Sequence, residues 1–174
     1  MYRDFLKKVQ NKYCVASGLR YDKSIGSTST FQRTPFCILF RVSHSRNSLK
    51  ELFKAHQGLL IAAPEYNSSI TAVLKNTIDW VSRPVPNEAP LAGFAGKAAV
   101  IMAASPGQLG GLRGLVTVRS ILGNIKVTML PDQIAIPKAH EAFDAAGTLK
   151  DPKLQESVSQ LGAALARFLA KLHG

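Results

Sequence analysis

Residues 58–84 read GLLIAAPEYNSSITAVLKNTIDWVSRP, and this stretch decides the fold class. Its opening apolar run is too short for a helix and lacks polar alternation, which is typical of a strand buried on both faces of a parallel sheet. A polar segment begins at Pro64, and Ser68 or Ser69 is placed to cap a helix over about 69–82. The apolar positions of that helix fall on one side: Ile70, Val73, Leu74, Thr77, Ile78 and Val81. The stretch therefore predicts a strand–loop–helix unit, whose loop lies where open α/β sheets bind ligands.

The flanking sequence continues the alternation of strand-like and helix-like segments. An amphipathic helix ends at 49–56, and a Pro/Gly-rich surface connection covers 83–96. After it come a buried strand at 97–104, a glycine-rich loop at 105–111, a helix at 112–122, a strand within 126–136 that is split or bent near Pro131, and a long helix that begins at Asp151 and Pro152. Such alternation predicts a three-layer α/β sandwich with a parallel, doubly wound sheet.

Three parts of the quoted stretch carry a family resemblance. The first part is Pro64-Glu65-Tyr66-Asn67, and it is followed by Leu-Lys-Asn at 74–76 and Ile-Asp-Trp-Val-Ser-Arg-Pro at 78–84. Together they resemble the signature of the NAD(P)H-dependent FMN reductases. These flavodoxin-like enzymes include quinone, azo-dye and chromate reductases. The resemblance implies that residues 1–174 form a single flavodoxin-like domain with the strand order 2-1-3-4-5.

The resemblance also assigns two loops, at neighbouring strand ends, to the flavin ring of FMN. In the first loop, Pro64, Glu65, Tyr66 and Asn67 are expected to turn backbone amides towards ring oxygens, and Tyr66 and Asn67 to add edge and polar contacts. The second loop is similar to the family's Ser-Pro-Gly-x-x-Gly-Gly, and its expected contacts are Ser105, Pro106, Gly107, Gln108, Gly110 and Gly111. Glycines are expected at the flavin rim because a β-carbon there would collide with the ring or forbid positive φ.

A third loop is expected to hold the FMN phosphate, which needs a helix N-terminus, hydroxyl groups and an arginine. Ser17, Arg20 and Ser24 follow a predicted first strand at the right place. Their spacing departs from the family, because the tetrad reads Ser-Gly-Leu-Arg instead of Gly-Ser-Leu-Arg and Ser24 comes one place late. Residues 21–48 are too few for the helix and second strand that the family places there. Residues 1–48 are therefore expected to be divergent, truncated or altered in frame relative to the family.

The activity that the resemblance implies is electron transfer from NAD(P)H through bound FMN to a small-molecule acceptor: a quinone, a free flavin, an azo dye or a metal oxyanion. Donor and acceptor would use the same face of the flavin in turn, which predicts ping-pong kinetics. No catalytic acid or base is expected because hydride passes directly to FMN. The sequence has no Gly-x-Gly-x-x-Gly or Walker A motif, so no separate dinucleotide site is predicted. Two alternatives stay open: a non-enzymatic FMN-binding redox carrier, and an inactive homologue whose phosphate loop is broken.

The net charge of +11 is concentrated in the first third of the chain. Residues 1–57 hold 11 Lys and Arg against 3 Asp and Glu, whereas residues 58–174 hold 11 against 8. The basic part lacks the aromatic interleaving of a stacking platform and shows no helix-turn-helix or zinc-finger spacing, so no specific nucleic-acid partner is predicted. Its Ser and Arg content leaves a mitochondrial presequence as a competing interpretation.

The apolar stretches, the cysteines, the histidines and three residues of the predicted helix at 69–82 indicate where the protein is located, whether it binds a metal and how it assembles. No apolar stretch approaches the roughly 20 residues that span a bilayer, so no membrane association is predicted. Cys14 and Cys37 lack the spacing of a metal or redox pair and indicate a reducing, cytoplasmic setting. The four histidines are widely spread, so no metal site is predicted. Trp80 is predicted to be core, or part of a seam in the homodimer or homotetramer that the family resemblance implies, and Lys75 and Asp79 to form a solvated pair.

Overall fold

The computed structural model describes residues 46–145 and 147–173. Within them lie helices α1 (Arg46–Ala55), α2 (Ala72–Ser82), α3 (Leu112–Asn124), α4 (Ala139–Ala142) and α5 (Pro152–His173). The strands are β1 (Gly58–Ala62), β2 (Glu65–Tyr66), β3 (Ser69–Ile70), β4 (Ala98–Ala104) and β5 (Thr128–Ile136). None of the helices in these ranges combines the length and the apolarity needed to cross a membrane.

Three of the strands form a parallel sheet in the order β1–β4–β5. Gly58 pairs with Ala98 at one end of the β1–β4 ladder, and Ala62 pairs with Met102 at the other. This order and direction match the last three strands of the predicted 2-1-3-4-5 arrangement. The places predicted for the first two strands fall outside the described residues. Over the described ranges, the prediction of an α/β fold with a parallel sheet is confirmed.

The sheet separates two apolar layers because successive side chains of a strand point to opposite faces. Even-numbered residues of β4 face helix α5, whose buried residues are Val158, Leu161, Leu165 and Leu169. Odd-numbered residues of β4 face helices α1, α2 and α3, whose buried residues include Phe53, Leu74, Ile78, Val81, Leu115, Val118 and Leu122. Every residue of β4 is buried. A strand covered on both faces has no solvent side to mark with polar residues, which explains its unbroken apolar sequence.

Strand β5 bends at a bulge beside Pro131, as the sequence predicts. Ala99 of β4 pairs with Met129 of β5, and Ile101 pairs with Gln133. Two residues along β4 therefore lie beside four residues along β5, so β5 contains two extra residues. The guanidinium of Arg119 on α3 holds the bulge, because Nη1 donates to the carbonyl of Leu130 at 2.8 Å and Nη2 donates to Oε1 of Gln133 at 3.1 Å. The end of β5 thereby returns to register with the end of β4.

Helix α2 is capped by Thr71, whose Oγ1 accepts a hydrogen bond from the N–H of Leu74 at 3.1 Å. The prediction that Ser68 or Ser69 caps this helix is wrong. Both serines belong to a preceding hairpin that the apolar pattern alone does not indicate. Thr71 has the extended backbone and the side-chain oxygen that an N-cap needs, directly ahead of the first helical residue.

The buried stripe of α2 is narrower than predicted. Its buried residues are Leu74, Thr77, Ile78 and Val81. Val73 and Trp80 are 52% and 46% exposed, so the placement of Trp80 in the core is wrong. Each residue advances about 100° around a helix, so Val73 and Trp80 lie at the edge of the stripe, turned towards solvent. The predicted exposed pair on the other side is confirmed, since Nζ of Lys75 lies 2.8 Å from the Asp79 carboxylate.

The connection at 83–96 is only partly a surface segment, which corrects its description from sequence. Phe94 is fully buried, and its ring meets that of Phe53 edge-on with centroids 5.1 Å apart. The carboxylate of Glu88 is also largely buried and pairs with the buried ammonium group of Lys50 on α1. The connection therefore ties α1 to the layer that contains α2.

Candidate functional site

Two loops leave the sheet side by side at the carboxyl ends of β1 and β4. The first loop covers residues 63–71 and the second covers 105–111. The N–H of Ala63 donates to the carbonyl of Met102 at 2.8 Å, so the ladder continues past β1 and brings the starts of the two loops together. These loops contain the residues predicted to contact a flavin ring. The structure places both at one edge of the sheet.

The first loop is a small hairpin. Strands β2 and β3 pair antiparallel, with Glu65 opposite Ile70 and Tyr66 opposite Ser69. The two residues of the turn, Asn67 and Ser68, have φ values of 50° and 66°, which is the pattern of a type I′ turn. Asparagine suits this conformation, and its position in a polar tetrapeptide is the sequence signal that could have revealed the hairpin. Tyr66 and the two turn residues are exposed.

Glu65 turns the other way and joins the hairpin to α3. Its Oε1 accepts hydrogen bonds from Nε and Nη2 of Arg113 at 3.2 and 2.9 Å, and its Oε2 accepts one from the backbone N–H of Gly114 at 3.0 Å. The N-cap of α3 is Gly111, which has no side chain to cap the helix. Glu65 therefore supplies the capping carboxylate from another segment of the chain.

The environment of Glu65 favours the ionised carboxylate. Burial alone would raise the pKa of the Glu65 carboxyl, but the hydrogen bonds from Gly114 and Arg113 outweigh it and hold this pKa below its ordinary value. The side chain of Glu65 is 8% exposed, whereas that of Arg113 is 58% exposed. The carboxylate is thus committed to contacts inside the protein, and what Glu65 leaves for a ligand is its backbone.

Two glycines of the second loop are needed for packing within the protein. A β-carbon on Gly110 would lie 2.7 Å from backbone atoms of Ile136 and Pro137, and one on Gly111 would lie 2.7 Å from Cβ of Ala103. Both glycines have positive φ, 60° and 94°. The positive φ expected at these glycines is observed, and both also bring the loop against β4 and β5; their approach to the flavin rim stays a prediction.

Gly107 differs from these two glycines. It is exposed, and among the described residues a β-carbon built on it would meet Oγ of Ser105 at 3.7 Å. That oxygen also accepts the N–H of Gly107 at 3.2 Å, which fixes the turn. The backbone at Gly107 is therefore open to approach by another molecule.

A third segment, which follows β5, borders the second loop. The N–H of Ala139 donates to the carbonyl of Ser105 at 3.0 Å, and the N–H of Lys138 donates to that of Gly107 at 3.3 Å. Lys138 is exposed and has a φ of 45°. No motif in the sequence marks this segment as part of the edge. Its position directly after a strand is the one available signal.

The predicted contact residues divide by exposure. Those exposed at the edge are Tyr66, Asn67, Pro106, Gly107 and Gln108, those partly exposed are Glu65 and Ser105, and those buried are Pro64, Gly110 and Gly111. The predicted phosphate contacts, Ser17, Arg20 and Ser24, lie outside the described residues, as do Cys14 and Cys37. Over 46–145 and 147–173, no three His, Cys, Asp or Glu side chains come together as a metal ion would require.

A family model described as NADPH-dependent FMN reductase matches residues 30–141. The chain is 40% identical over 126 residues to an NAD(P)H-dependent FMN reductase of Pseudomonas aeruginosa, a match that covers 72% of this chain and 65% of that protein. It is 36% identical over 124 residues to a probable NADPH:quinone oxidoreductase 2 of Oryza sativa subsp. japonica, covering 70% and 58%. The chain thus spans about three fifths of the length of these curated relatives.

Solved structures give the same picture of the fold. The flavoenzyme NAD(P)H:(acceptor) oxidoreductase FerB of Paracoccus denitrificans superposes with a TM-score of 0.62 at 27% identity, covering 72% of this chain and 68% of that one. An oxidoreductase of Corynebacterium diphtheriae superposes with a TM-score of 0.54 at 17% identity, covering 72% and 62%.

Proposed function

The chain belongs to the NADPH-dependent FMN reductase family, and from this premise we propose that it is an NAD(P)H-dependent oxidoreductase with FMN as its cofactor. FMN, when bound, supplies the chemistry of accepting hydride from NAD(P)H and releasing electrons to an acceptor. The observation that carries the proposal is the juxtaposition of loops 63–71 and 105–111 at the carboxyl edge of the sheet. The work left to the protein is to bind and orient a flat ring and to leave one of its faces open.

The exposed residues of the two loops suit that work. Tyr66 and Asn67 offer an aromatic edge and a neutral amide on one side, and the segment 106–108 offers backbone polar groups on the other. The open backbone at Gly107 supports a close approach, because no described side chain blocks it. These groups carry no charge, which suits a neutral ring. No residue of the two loops is assigned as an acid or base.

The phosphate of FMN needs a place other than the N-terminus of α3. That helix end is already occupied by the Glu65 carboxylate, which would repel a dianion. Ser17, Arg20 and Ser24 remain the proposed phosphate contacts, although the family match begins after them, at residue 30.

The experiment that tests the function starts with the visible spectrum of the purified protein after addition of FMN and desalting. We expect a retained flavin band, followed in stopped flow by loss of that band when NADPH is added without an acceptor. A protein that retains flavin but is not bleached by NADPH or NADH is a redox carrier and not a reductase. A protein that retains no flavin contradicts the proposal in full.

The acceptor and the kinetic order are part of the same proposal. Quinones, free flavins, azo dyes and metal oxyanions are the proposed acceptor classes. Use of one flavin face by donor and acceptor in turn predicts ping-pong kinetics, which appear as parallel lines in double-reciprocal plots. Intersecting lines would show that donor and acceptor bind together. The cytoplasmic location inferred from sequence stays a prediction.

We also propose that the protein is a homodimer. Helices α2 and α3 lie on the same face of the sheet, and each exposes large apolar side chains: Val73 and Trp80 on α2, Leu112 and Val116 on α3. Val73 and Trp80 are seven residues apart and Leu112 and Val116 are four apart, so each pair lies on one side of its helix, as the apolar patches of protein–protein contacts require. Sedimentation should give a dimer that Val116→Asp dissociates. Leu172→Asp, at another exposed apolar position on α5, should leave the dimer intact. A monomeric wild-type protein would contradict the proposed homodimer but would leave the proposed oxidoreductase function unaffected.

A further inference from the structure

The hydrogen bonds of Glu65 connect two parts of the proposed flavin site that are distant in sequence. Glu65 lies in the hairpin of the first loop, while Arg113 and Gly114 lie in the first turn of α3, directly after the second loop. Three hydrogen bonds thus cross from one loop to the helix that carries the other. They include the N–H of the third helical residue, which would otherwise lack a partner inside its helix.

Gly111 and Gly114 make room for the Glu65 side chain because they have no side chains of their own. A β-carbon on Gly114 would lie 3.3 Å from Cβ of Glu65 and 3.3 Å from the carbonyl oxygen of Ser69. A β-carbon on Gly111 would come within 3.7 Å of the same Cβ of Glu65. The hairpin therefore lies against the start of α3 at backbone distance, and the carboxylate holds it there.

Residue alternation links this anchor to the exposed side of the hairpin. Successive side chains of a strand point to opposite sides, and β2 consists of Glu65 and Tyr66. Glu65 is directed into the protein and Tyr66 is 60% exposed. Whatever orients Glu65 therefore also orients Tyr66 and the turn that follows it.

From these contacts we propose that Glu65 is a positioning residue for flavin binding. Its carboxylate fixes the hairpin of residues 65–70 relative to the loop of residues 105–111, and so sets the separation of the two loops that receive the ring. Glu65 does this without a side-chain contact to the ring, which leaves its backbone free for the contact expected from sequence. The inference rests on the proposed function, which it deepens.

The test compares flavin affinities of folded variants by fluorescence titration, with riboflavin and FMN measured in parallel. Glu65→Ala should weaken both flavins by the same factor, at least about tenfold. Glu65→Gln keeps an acceptor for the Gly114 N–H but loses the ion pair, so it should recover part of the affinity. Arg113→Lys keeps the charge and should lose less than Arg113→Gln. Glu51→Ala, which removes a carboxylate that is 67% exposed on α1, is the matched control and should bind as the wild type does.

A merely structural role would give a different result. Glu65→Ala would then lower the urea midpoint, while flavin affinity and the circular dichroism of bound flavin stayed as in the wild type, and the proposal would be overturned. A loss confined to FMN would also overturn it, because it would indicate a phosphate contact. If Glu65→Ala does not fold, Glu65→Gln and Arg113→Gln are judged by the same criteria. A wild-type protein that binds no flavin overturns the proposed function itself, which separates that failure from a failure of Glu65 alone.

Discussion

Gly110 lies so close to Ile136 that a β-carbon on the glycine would come within 2.7 Å of the backbone nitrogen and carbon of Ile136. The contact joins the loop after β4 to the last residue of β5. Gly110 also has a φ of 60°, a backbone conformation that L-residues rarely adopt. Both the close contact and the backbone conformation therefore require glycine at this position.

Gly110→Ala should therefore lower the free energy of unfolding by about 2–5 kcal/mol, because left-handed backbone costs about 1–2 kcal/mol and overpacking about 1–3 kcal/mol. Urea denaturation measures the loss. The matched control is Gly107→Ala, at the open position of the same loop, which should stay within about 0.5 kcal/mol of the wild type. Equal effects of the two substitutions would show that the packing against β5 does not constrain the loop.

Ser68→Gly should stabilise the protein by up to about 1 kcal/mol. Ser68 has a φ of 66° in the type I′ turn, a conformation that costs an L-residue about 1–2 kcal/mol and costs glycine little. Part of the gain is offset by the greater freedom of glycine in the unfolded chain. Thermal and urea unfolding should show the gain. Ser120→Gly, on an exposed position inside α3, should instead destabilise by about 0.5–1 kcal/mol, and a loss of similar size at Ser68 would contradict the assigned turn.

Stability should depend on pH through Glu65. Its folded-state pKa lies below the ordinary value, so the contribution of the ionised carboxylate is complete above the unfolded-chain value of about 4.3 and is lost as pH falls through the folded-state value. The difference in unfolding free energy between wild type and Glu65→Gln should thus be constant from about pH 7 to pH 5 and narrow below about pH 4. Urea titrations at each pH measure it. A difference that stays constant down to pH 3 would show that ionisation of Glu65 contributes nothing.

Tyr66→Ala should separate binding from stability. The side chain is 60% exposed, so its loss should change the free energy of unfolding by no more than about 0.5 kcal/mol. If the ring lies against the flavin, affinity for riboflavin and FMN should fall together by about 0.5–1.5 kcal/mol, as measured by fluorescence titration. Leu172→Ala removes a similarly exposed apolar side chain from the end of α5 and should leave affinity unchanged. Unchanged affinity in Tyr66→Ala would remove this residue from the proposed site.

Arg20→Ala tests the proposed phosphate contact. A charge-assisted hydrogen bond to phosphate is worth about 1.5–3 kcal/mol, so FMN should bind more weakly by that amount while riboflavin is barely affected. Isothermal titration with both ligands gives the comparison. Equal affinity of the wild-type protein for FMN and riboflavin would show that Ser17, Arg20 and Ser24 form no phosphate site.

Much of the described fold follows from local sequence pattern. The apolar runs predict strands β1 and β4 to within a residue of their observed ends, because a strand covered on both faces needs an unbroken apolar run. Pro131, which cannot donate a ladder hydrogen bond, predicts a split or a bend in β5, and the structure shows the bend. The hydrophobic periodicity of α2 does not predict correctly which of its apolar residues are buried, because burial depends on the position of a residue around the helix as well as on its type. Trp80 is apolar and large, yet at the edge of the buried stripe of α2 it is 46% exposed.

The site could be predicted as a pair of loops but not as a set of contacts. Parallel strands end at one edge, which brings residues 63–71 and 105–111 together whatever their side chains are. The Glu65 side chain points inward because of a hairpin of two-residue strands and because of its hydrogen bond with Arg113 at the start of α3. Arg113 lies 48 residues after Glu65 in the chain. No periodicity carries that information. Gly110 shows the same limit, because its partner Ile136 belongs to a strand that follows an intervening helix.

The bulge in β5 also governs which changes in chain length the strand can accept. It absorbs two extra residues, so Leu130 before it and Ile134 and Ile136 after it all face the layer of α5. Deletion of Pro131 and Asp132 together would keep this parity. Deletion of one of them would leave a single extra residue, and Ile134 and Ile136 would keep their face only where a one-residue bulge still restores the register; without it they would turn to the opposite face of the sheet. We therefore expect paired deletions at this bulge to disturb the strand less than single ones.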